Sequence, residues 1–431
     1  MHNYEGLDRP GGFATSGLLA PLRERDFLLL WTGLTVSLLG DGVFVVAVAW
    51  QAYELSDSPT ALSMIMLAMT LPHVLLLLFG GVVSDRSDRR TVMLVSDVVR
   101  GGALAVAGLL AVSGTLTLGR LGAVAAVYGA GTAFFGPAFD AIVPDIVPRT
   151  LWPQANALEQ LVKPLTLRMM GPALGGGIIA LGGTGTAFLF DAATFAASAC
   201  TIWALRTRPQ TERHIGSLTT ELAEGLVYVR SKVWLWGTFA SAAFAYMMFM
   251  GPVEVLLPFI VKEEMQRSAG ELGLVFAVGG VGSIAAAVVM GSRGQPRRSI
   301  TFIYLTWTLS TLTLVGYGLA STVWLLLVPS FLFNLLESAG TIVWSTLKQE
   351  RVPPHLLGRV SSLDWLISIG LMPVSFALTG PVSALFGKTA TLVGAGILGA
   401  GVTLAALYLP GMRDVERSDA SARVERVVET V

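Results

Sequence analysis

Charged residues are scarce in this 431-residue sequence, and cysteine is nearly absent. Aspartate, glutamate, lysine and arginine make up 13% of the chain, against about 25% in a typical soluble domain. Hydrophobic residues make up 53%. This balance excludes a soluble globular protein and indicates an integral membrane protein. The single cysteine, Cys200, excludes an intrachain disulfide framework and a thiolate metal site.

Motifs for nucleotide hydrolysis, metal binding and nucleophilic catalysis are also missing. The sequence has no G-x-x-x-x-G-K-[ST] phosphate loop, no G-x-S-x-G elbow and no histidine, cysteine and carboxylate cluster at metal-ligand spacing. It has no basic soluble domain for nucleic acid. We therefore predict that the protein is not an enzyme and uses no cofactor, metal or nucleic-acid partner. Residues 1–22 lack the order of a signal peptide, so the first apolar run is expected to be retained.

Twelve apolar runs are each long enough to cross a bilayer, which takes about 20 helical residues. They are residues 27–50, 61–83, 92–112, 121–143, 158–181, 186–205, 233–261, 272–290, 300–319, 322–344, 360–382 and 389–409. The seventh run is long and contains Pro252 and Pro258, so we expect it to tilt or kink. The sequence predicts an all-α integral membrane fold with twelve transmembrane helices.

The positions of the 29 lysines and arginines predict the orientation of these runs. With both termini in the cytoplasm, 22 of the 29 fall in cytoplasmic segments, four fall outside and three lie within runs. The longest connection contains Leu218, Leu222, Leu226 and Val229 at helical spacing, which predicts an amphipathic helix over residues 217–230.

This connection divides the chain into five predicted parts. They are a cytoplasmic tail (1–25), a six-helix bundle (26–205), a cytoplasmic linker (206–232), a second six-helix bundle (233–409) and a second cytoplasmic tail (410–431).

Residues 80–90, between the second and third runs, carry far more charge than a tight turn needs. They include Asp85, Arg86, Asp88, Arg89 and Arg90. Arginines beside the membrane mark its cytoplasmic side, and an aspartate among them can bind the positive N-terminal end of a helix. The segment is therefore predicted to act as an electrostatic latch between helix ends.

Ionisable residues inside the runs are candidates for function, because each one is costly to place in lipid. Asp41 lies past the middle of the first run, between two glycines, and is the leading candidate for a proton carrier. Glu254 in the seventh run and Glu337 in the tenth are further candidates for proton coupling or substrate binding. A structural bond to a partner helix stays open for Asp41, and Glu254 is close enough to the outer surface to be simply hydrated.

Two basic residues are also candidates, and more than one role stays open for each. Arg168 in the fifth run can hold a carboxylate in its charged form, bind an anionic part of a substrate or form a structural ion pair. His73, after Pro72 in the second run, is a candidate proton relay or a hydrogen-bonded bundle residue. Asp97 and Arg100, three residues apart, are expected to pair near the cytoplasmic face. Asp191, Asp364 and Asp140, close to run ends, are expected to be structural.

The segment 80–90 resembles the signature loop of the major facilitator superfamily, whose pattern is G-x-L-x-D-R-x-G-R-R. Gly81, Asp85, Arg86, Arg89 and Arg90 match that pattern, while Asp88 stands where the family has glycine. The resemblance implies two six-helix bundles that rock about a central site. It also implies that runs 1, 4, 7 and 10 line a central cavity. In this family branch the latch aspartate meets the start of helix 11, near residues 358–362.

Other segments resemble one bacterial exporter branch, that of enterobactin-exporter-like and macrolide-efflux-like proteins. They are residues 30–33, 40–44, 135–138, 144–145, 155–158, 190–192 and 358–362. Gly171, Pro172, Gly175 and Gly176 resemble the G-P-x-x-G-G element of drug:proton antiporters, which implies a tightly packed, pliable seam.

One departure from the antiporter pattern concerns the fourth run. Many antiporters have R-x-x-Q-G there, whereas this chain has Ala125 and Tyr128 in place of the arginine and glutamine, followed by the matching Gly129. If transport is coupled to protons, the counter-charge is therefore expected elsewhere, at Arg100 or Arg168.

The resemblance implies a transporter in the cytoplasmic membrane that exports small amphipathic molecules of drug, macrolide or siderophore type, driven by the proton motive force through alternating access. Its expected partners are the substrate, protons and the lipid bilayer, and a monomer is expected. Two alternatives stay open: an importer or uniporter of a polar metabolite, and a non-transporting membrane sensor.

Overall fold

The computed structural model describes residues 19–206, 218–293 and 295–417. Within these ranges every regular element is helical, which confirms the predicted all-α class. Most of the predicted tails, 1–25 and 410–431, and part of the linker, 206–232, lie outside the described residues.

Apart from α1, the helices before the linker begin at a polar cap or a proline. Ser58 accepts a hydrogen bond from the backbone of Thr60 and Asp88 does so from Thr91, which satisfies free amides at two helix starts. The helices are α1 (Arg25–Leu55), α2 (Pro59–Arg86), α3 (Arg89–Val112), α4 (Leu118–Ile146), α5 (Trp152–Lys163) and α6 (Gly171–Trp203). A π-helical segment, Pro164–Met170, joins α5 to α6.

The second set begins with the predicted amphipathic helix, which the structure confirms as α7 (Leu218–Ser231). The others are α8 (Val233–Gly251), α9 (Leu257–Phe259), α10 (Ala269–Arg293), α11 (Ser299–Leu312), α12 (Leu314–Leu319), α13 (Val323–Arg351), α14 (Pro354–Gly370), α15 (Met372–Phe386) and α16 (Lys388–Ala406). Two π-helical segments, Pro252–Leu256 and Ile260–Glu264, flank α9 and interrupt the run for which a tilt or kink was expected.

Eleven segments of the described chain are long and apolar enough to cross a membrane. One of them, Leu161–Trp203, has 43 residues and holds most of the fifth and all but the end of the sixth predicted run. A straight helix of that length would extend ~65 Å, about twice the hydrocarbon thickness. It breaks at Gly183, whose φ of 76° suits only glycine well. The count of twelve and the orientation of the termini stay predictions.

Most of the helix packing lies within each set. In the first set α1 packs on α6, α2 on α4, and α3 on both α4 and α6; in the second, α13 packs on α10 and α11, and α16 on α8 and α11. The main contacts between the sets are α2 with α15 and α6 with α10. We call these sets the first half (before the linker) and the second half (after it).

The buried apolar residues of the described ranges form three clusters, and only one of them contains residues of both halves. At the end predicted to be external, one cluster contains residues of both halves, for example Tyr53 and Leu62 with Val255 and Leu272. At the end predicted to be cytoplasmic, the first half has its own cluster around Phe27 and the second half has another around Trp234. The halves therefore share an apolar core at one end only.

Candidate functional site

Asp41 lies at the middle of α1 and is half-buried. The hydroxyl of Tyr128 in α4 donates a hydrogen bond to its Oδ1. The Tyr128 ring stacks on Phe44 with a centroid distance of 4.6 Å, which fixes the hydroxyl in this position. Tyr128 is the residue that replaces the antiporter glutamine, so the departure from the family pattern supplies the partner of Asp41.

Three more charged side chains surround this contact. Asp97, Arg100 and Asp191 are 1%, 3% and 0% exposed, and Nη2 of Arg100 lies 2.5 Å from Oδ1 of Asp97. The predicted Asp97–Arg100 pair is confirmed, but its expected place near the cytoplasmic face is wrong because Arg100 lies at the middle of α3. Asp191 likewise lies eight residues beyond the Gly183 break and not at a helix end.

Arg100 and Asp191 both act on Asp41. Arg100, one of the two counter-charges named above, interacts electrostatically with Asp41. The side chain of Asp191 lies against Gly40, where a methyl group would overlap its Oδ1. Three carboxyl groups and one guanidinium group thus form a membrane-embedded cluster, which we call the Asp41 cluster (Asp41, Asp97, Arg100, Tyr128 and Asp191).

A second polar site joins the two halves. Nη1 of Arg168, in the π-helical segment Pro164–Met170, lies 3.8 Å from Oε2 of Glu337 and donates a 3.3 Å hydrogen bond to Oδ1 of Asn334. Oε1 of Glu337, at the middle of α13, also accepts a hydrogen bond from Thr341 at 3.1 Å. Arg168 and Glu337, which were separate candidates in the sequence, are therefore neighbours in the structure.

The remaining candidates have fewer contacts. Glu254 is half-buried in the π-helical segment Pro252–Leu256 and interacts electrostatically with Arg168. Lys163, a further cation of the fifth run, is exposed and pairs with Glu159, four residues earlier, at 2.5 Å. His73 is half-buried in α2 and forms no side-chain hydrogen bond or ion pair with another residue in the described ranges.

The glycine-rich element of α6 forms the expected close-packed seam. A Cβ on Gly171 would lie 2.6 Å from Cα of Gly42 in α1, and one on Gly175 would lie 3.0 Å from Cα of Val43. On another face, a Cβ on Gly176 would lie 2.7 Å from the carbonyl oxygen of Ala269 in α10. The carbonyl oxygen of Pro172 is similarly close to Gly273 of α10. The seam thus contacts both its own half and the other one.

A cavity of about 260 Å³ lies inside the second half, between α8, α11, α13, α14 and α16. Glu337 lines it at the level of the middle of α13, and the ion pair of Lys348 with Asp364 lines it nearer the predicted cytoplasmic end. Asp364 also accepts a 2.9 Å hydrogen bond from the indole of Trp344. The aromatic residues of its wall are Tyr246, Phe249, Trp307, Trp344 and Trp365.

The charged loop is anchored within the first half. Arg89 is buried, donates to the carbonyl of Ala141 at 2.8 Å and pairs with Asp145 at the end of α4. Arg90 donates to backbone carbonyls at the end of α6. Arg86 is exposed. A Cβ added to Gly81 would have no neighbour within 4 Å, whereas Gly80 packs directly on the backbone of Ala133. The side chain of Asp85 lies outside what the structure describes.

Sequence reasoning missed two features of these sites. Tyr128 was noted only as a departure from a motif, although a polar tip on a buried aromatic residue requires a partner. The Lys348–Asp364 pair was missed because its members are sixteen residues apart on different helices. Among the described residues no group of three or more histidine, cysteine, aspartate or glutamate side chains could hold a metal ion.

Membrane-crossing helices, buried ionic residues and a core shared at one end only define a multi-pass membrane protein of transporter type. The chain matches the family model described as "Transmembrane secretion effector" over residues 16–430. It therefore belongs to this family of the major facilitator superfamily and is a protein of the cell membrane.

Characterised relatives and solved structures agree with this assignment. The chain is 27% identical to the multidrug efflux pump Tap of Mycolicibacterium fortuitum, over 90% of this chain and 96% of the relative. It is 24% identical to macrolide efflux protein A of Streptococcus pyogenes, over 84% and 89% of the two chains. A bacterial homologue of the iron transporter ferroportin, solved in its inward-facing state, superimposes with a TM-score of 0.67 at 17% identity, over 90% of this chain and 99% of that one.

Proposed function

We propose that this protein is a secondary transporter that exports small amphipathic molecules by alternating access, driven by the proton motive force. The observation that carries the proposal is the division of the apolar core. The halves share one cluster at the predicted external end and have separate clusters at the predicted cytoplasmic end. This arrangement suits a state that receives substrate from the cytoplasm.

The substrate class is proposed from the cavity and from the relatives. Aromatic rings with a carboxylate at the deep end suit molecules that have both an apolar body and a polar group. The relatives named above are a multidrug efflux pump and a macrolide efflux protein. Import or uniport of a polar metabolite stays the alternative, because side chains such as Thr238, Ser241 and Ser310 also line this cavity.

Proton coupling is proposed for Asp41, with Glu337 as the second candidate. Asp41 is an acid at the level of the bilayer centre, held by Tyr128 and within the field of Arg100. Glu254, His73 and Arg168 are assigned supporting roles in coupling or substrate binding. A carboxyl group that binds and releases a proton in this position can link substrate release to proton entry.

The conformational cycle is proposed to use the twelve-helix, two-bundle arrangement with both termini in the cytoplasm, in a monomer. The bundles are residues 26–205 and 233–409, and residues 1–25, 206–232 and 410–431 are cytoplasmic. In the outward-facing state Asp85 would bind the N-terminal end of α14, where the helix dipole favours an anion. This helix begins at Pro354, four residues before the expected position at 358–362. Arg89 and Arg90 support this by fixing the loop to α4 and α6.

A transport assay tests this proposal. A panel of toxic amphipathic compounds is applied to a strain that lacks or carries the chain, and uptake is then measured in inverted membrane vesicles. An exporter raises resistance, accumulates the compound inside the inverted vesicles and stops when a protonophore is added. Accumulation in intact cells would favour an importer, and no effect on any compound would favour a sensor.

A further inference from the structure

The Asp41 cluster contains more carboxyl groups than cations. Asp97 and Asp191 are fully buried, and Arg100 is the buried guanidinium group beside them. With all three acids ionised, the cluster would carry a charge of −2, and an uncompensated charge in a low-dielectric interior is strongly unfavourable. At least one of these acids must therefore be neutral or share a proton.

Arg100 forms a salt bridge with one of the three acids, Asp97. Its Nη2 lies 2.5 Å from Oδ1 of Asp97. The rings of Phe135 and Phe195 lie 4.6 Å and 4.4 Å from its guanidinium carbon. The salt bridge and the two aromatic rings together fix the guanidinium group of Arg100 beside Asp97. Asp97 is thus the acid that Arg100 holds in its charged form.

Asp41 and Asp191 differ in their hydrogen bonds. Asp41 receives the hydroxyl proton of Tyr128, and such a bond favours a carboxylate. Oδ1 of Asp191 accepts from Thr194 at 3.0 Å, but that hydroxyl also lies 2.7 Å from a backbone carbonyl. Oδ2 of Asp191 has no hydrogen-bond partner among the described residues, although the side chain is fully buried. Oδ2 of Asp97 also has no hydrogen-bond partner among these residues, but Oδ1 of Asp97 is paired with Arg100. Asp191 is therefore the poorest place in the cluster for a charge.

We propose that Asp191 and Asp41 form a carboxyl pair that holds one proton, and that in this conformation the proton resides on Asp191. The role of this proton in transport rests on the proposed function, but its location does not. When the Tyr128–Asp41 contact breaks, the O–H bond of Asp191 can transfer its proton to a carboxylate oxygen of Asp41. The products are a neutral Asp41 and a charged Asp191, so the charge of the pair is unchanged.

Infrared spectroscopy of the purified protein in lipid vesicles tests the location directly. A protonated carboxyl group has a carbonyl stretch that a carboxylate lacks. The wild-type minus Asp191→Asn difference spectrum at neutral pH should contain one such band. Asp145→Asn, which removes an acid paired with Arg89 at the end of α4, should not remove a band.

Two further variants keep the test independent of folding failure and of transport. Thr194→Val leaves Asp191 in place but removes its donor, so the band should remain and shift in frequency. Asp41→Asn should also shift it, because the neighbouring charge is lost. A spectrum without a band assignable to Asp191, or a band unmoved by both variants, would overturn the proposal. The spectra do not measure transport. If the wild-type protein failed to export any compound in the vesicle assay, that result would contradict the proposed function but not the location of the proton.

Discussion

Nη1 of Arg168 lies 3.8 Å from Oε2 of Glu337, so a cation of the first half faces an acid of the second half within the membrane. The side chains are 50% and 16% exposed, and the guanidinium group also donates to Asn334. A half-exposed ion pair contributes only about 0.5–1 kcal/mol. Such a contact holds the halves in this state without preventing them from separating.

Removing either charge of this pair should impair transport. We expect Arg168→Gln and Glu337→Gln each to lower the export rate, because the remaining charge loses its partner across the interface. In the exchanged pair, Arg168→Glu with Glu337→Arg, part of the rate should return, with a coupling energy of about 1 kcal/mol in a double-mutant cycle. The rates are compared in inverted vesicles at equal protein levels.

Arg267→Gln is the matched control, since Arg267 pairs with Glu271 on the exposed start of α10. It should leave the export rate unchanged. Strictly additive effects of the Arg168 and Glu337 variants would show that the two side chains do not interact during transport.

The packing of α6 on α10 should tolerate a methyl group at one glycine and not at the next. Gly176→Ala would bring a Cβ within 2.7 Å of the Ala269 carbonyl oxygen, and such overpacking costs about 1–3 kcal/mol. Gly177→Ala meets nothing within 4 Å and serves as the control. Thermal unfolding in detergent should show a lower Tm for the first variant only. Equal Tm values would contradict the tight contact between the halves.

Asp41→Asn imitates the permanently protonated form of the proposed proton carrier. Uphill export should fall to the level of cells without the protein, while substrate binding and downhill exchange remain measurable. Glu337→Gln and His73→Gln should have smaller effects on uphill export. If the Asp41 variant still drives efflux that a protonophore abolishes, Asp41 is structural and Glu337 becomes the leading candidate.

The proposed latch can be tested by neutralising one aspartate of the loop and not its neighbour. Asp85→Asn should strongly reduce transport with little loss of protein in the membrane, because the charge that would hold the outward-facing state is gone. Asp88→Asn is the control, since Asp88 caps α3 through Thr91 and asparagine caps as well. Wild-type rates in the Asp85 variant would exclude the latch.

Topology can be measured with reporter fusions and an accessible tag. Fusions after Pro410 and within residues 206–232 should report a cytoplasmic position, because basic residues concentrate there. A tag at residues 320–324 should be accessible from outside. An external position for residues 206–232 would overturn the division into six and six helices.

Apolar periodicity and charge made the class of fold predictable, since about 20 apolar residues have few stable alternatives to a membrane helix. The individual candidates Asp41, Arg168 and Glu337 were also visible, because charge in an apolar run is conspicuous. The break at Gly183 also agrees with the sequence, because the fifth predicted run ends at residue 181 and the sixth begins at residue 186.

The sequence by itself determined that this is a helical membrane protein with a charged loop at residues 80–90 and isolated acids at the level of the bilayer centre. Only the tertiary structure decided which of these charges meet. It paired Arg168 with Glu337 across the halves and assembled Asp97, Arg100 and Asp191 beside Asp41. Local spacing predicted the pairing of Asp97 with Arg100. The other partners are tens to more than a hundred residues apart along the chain, and helix packing sets their distances.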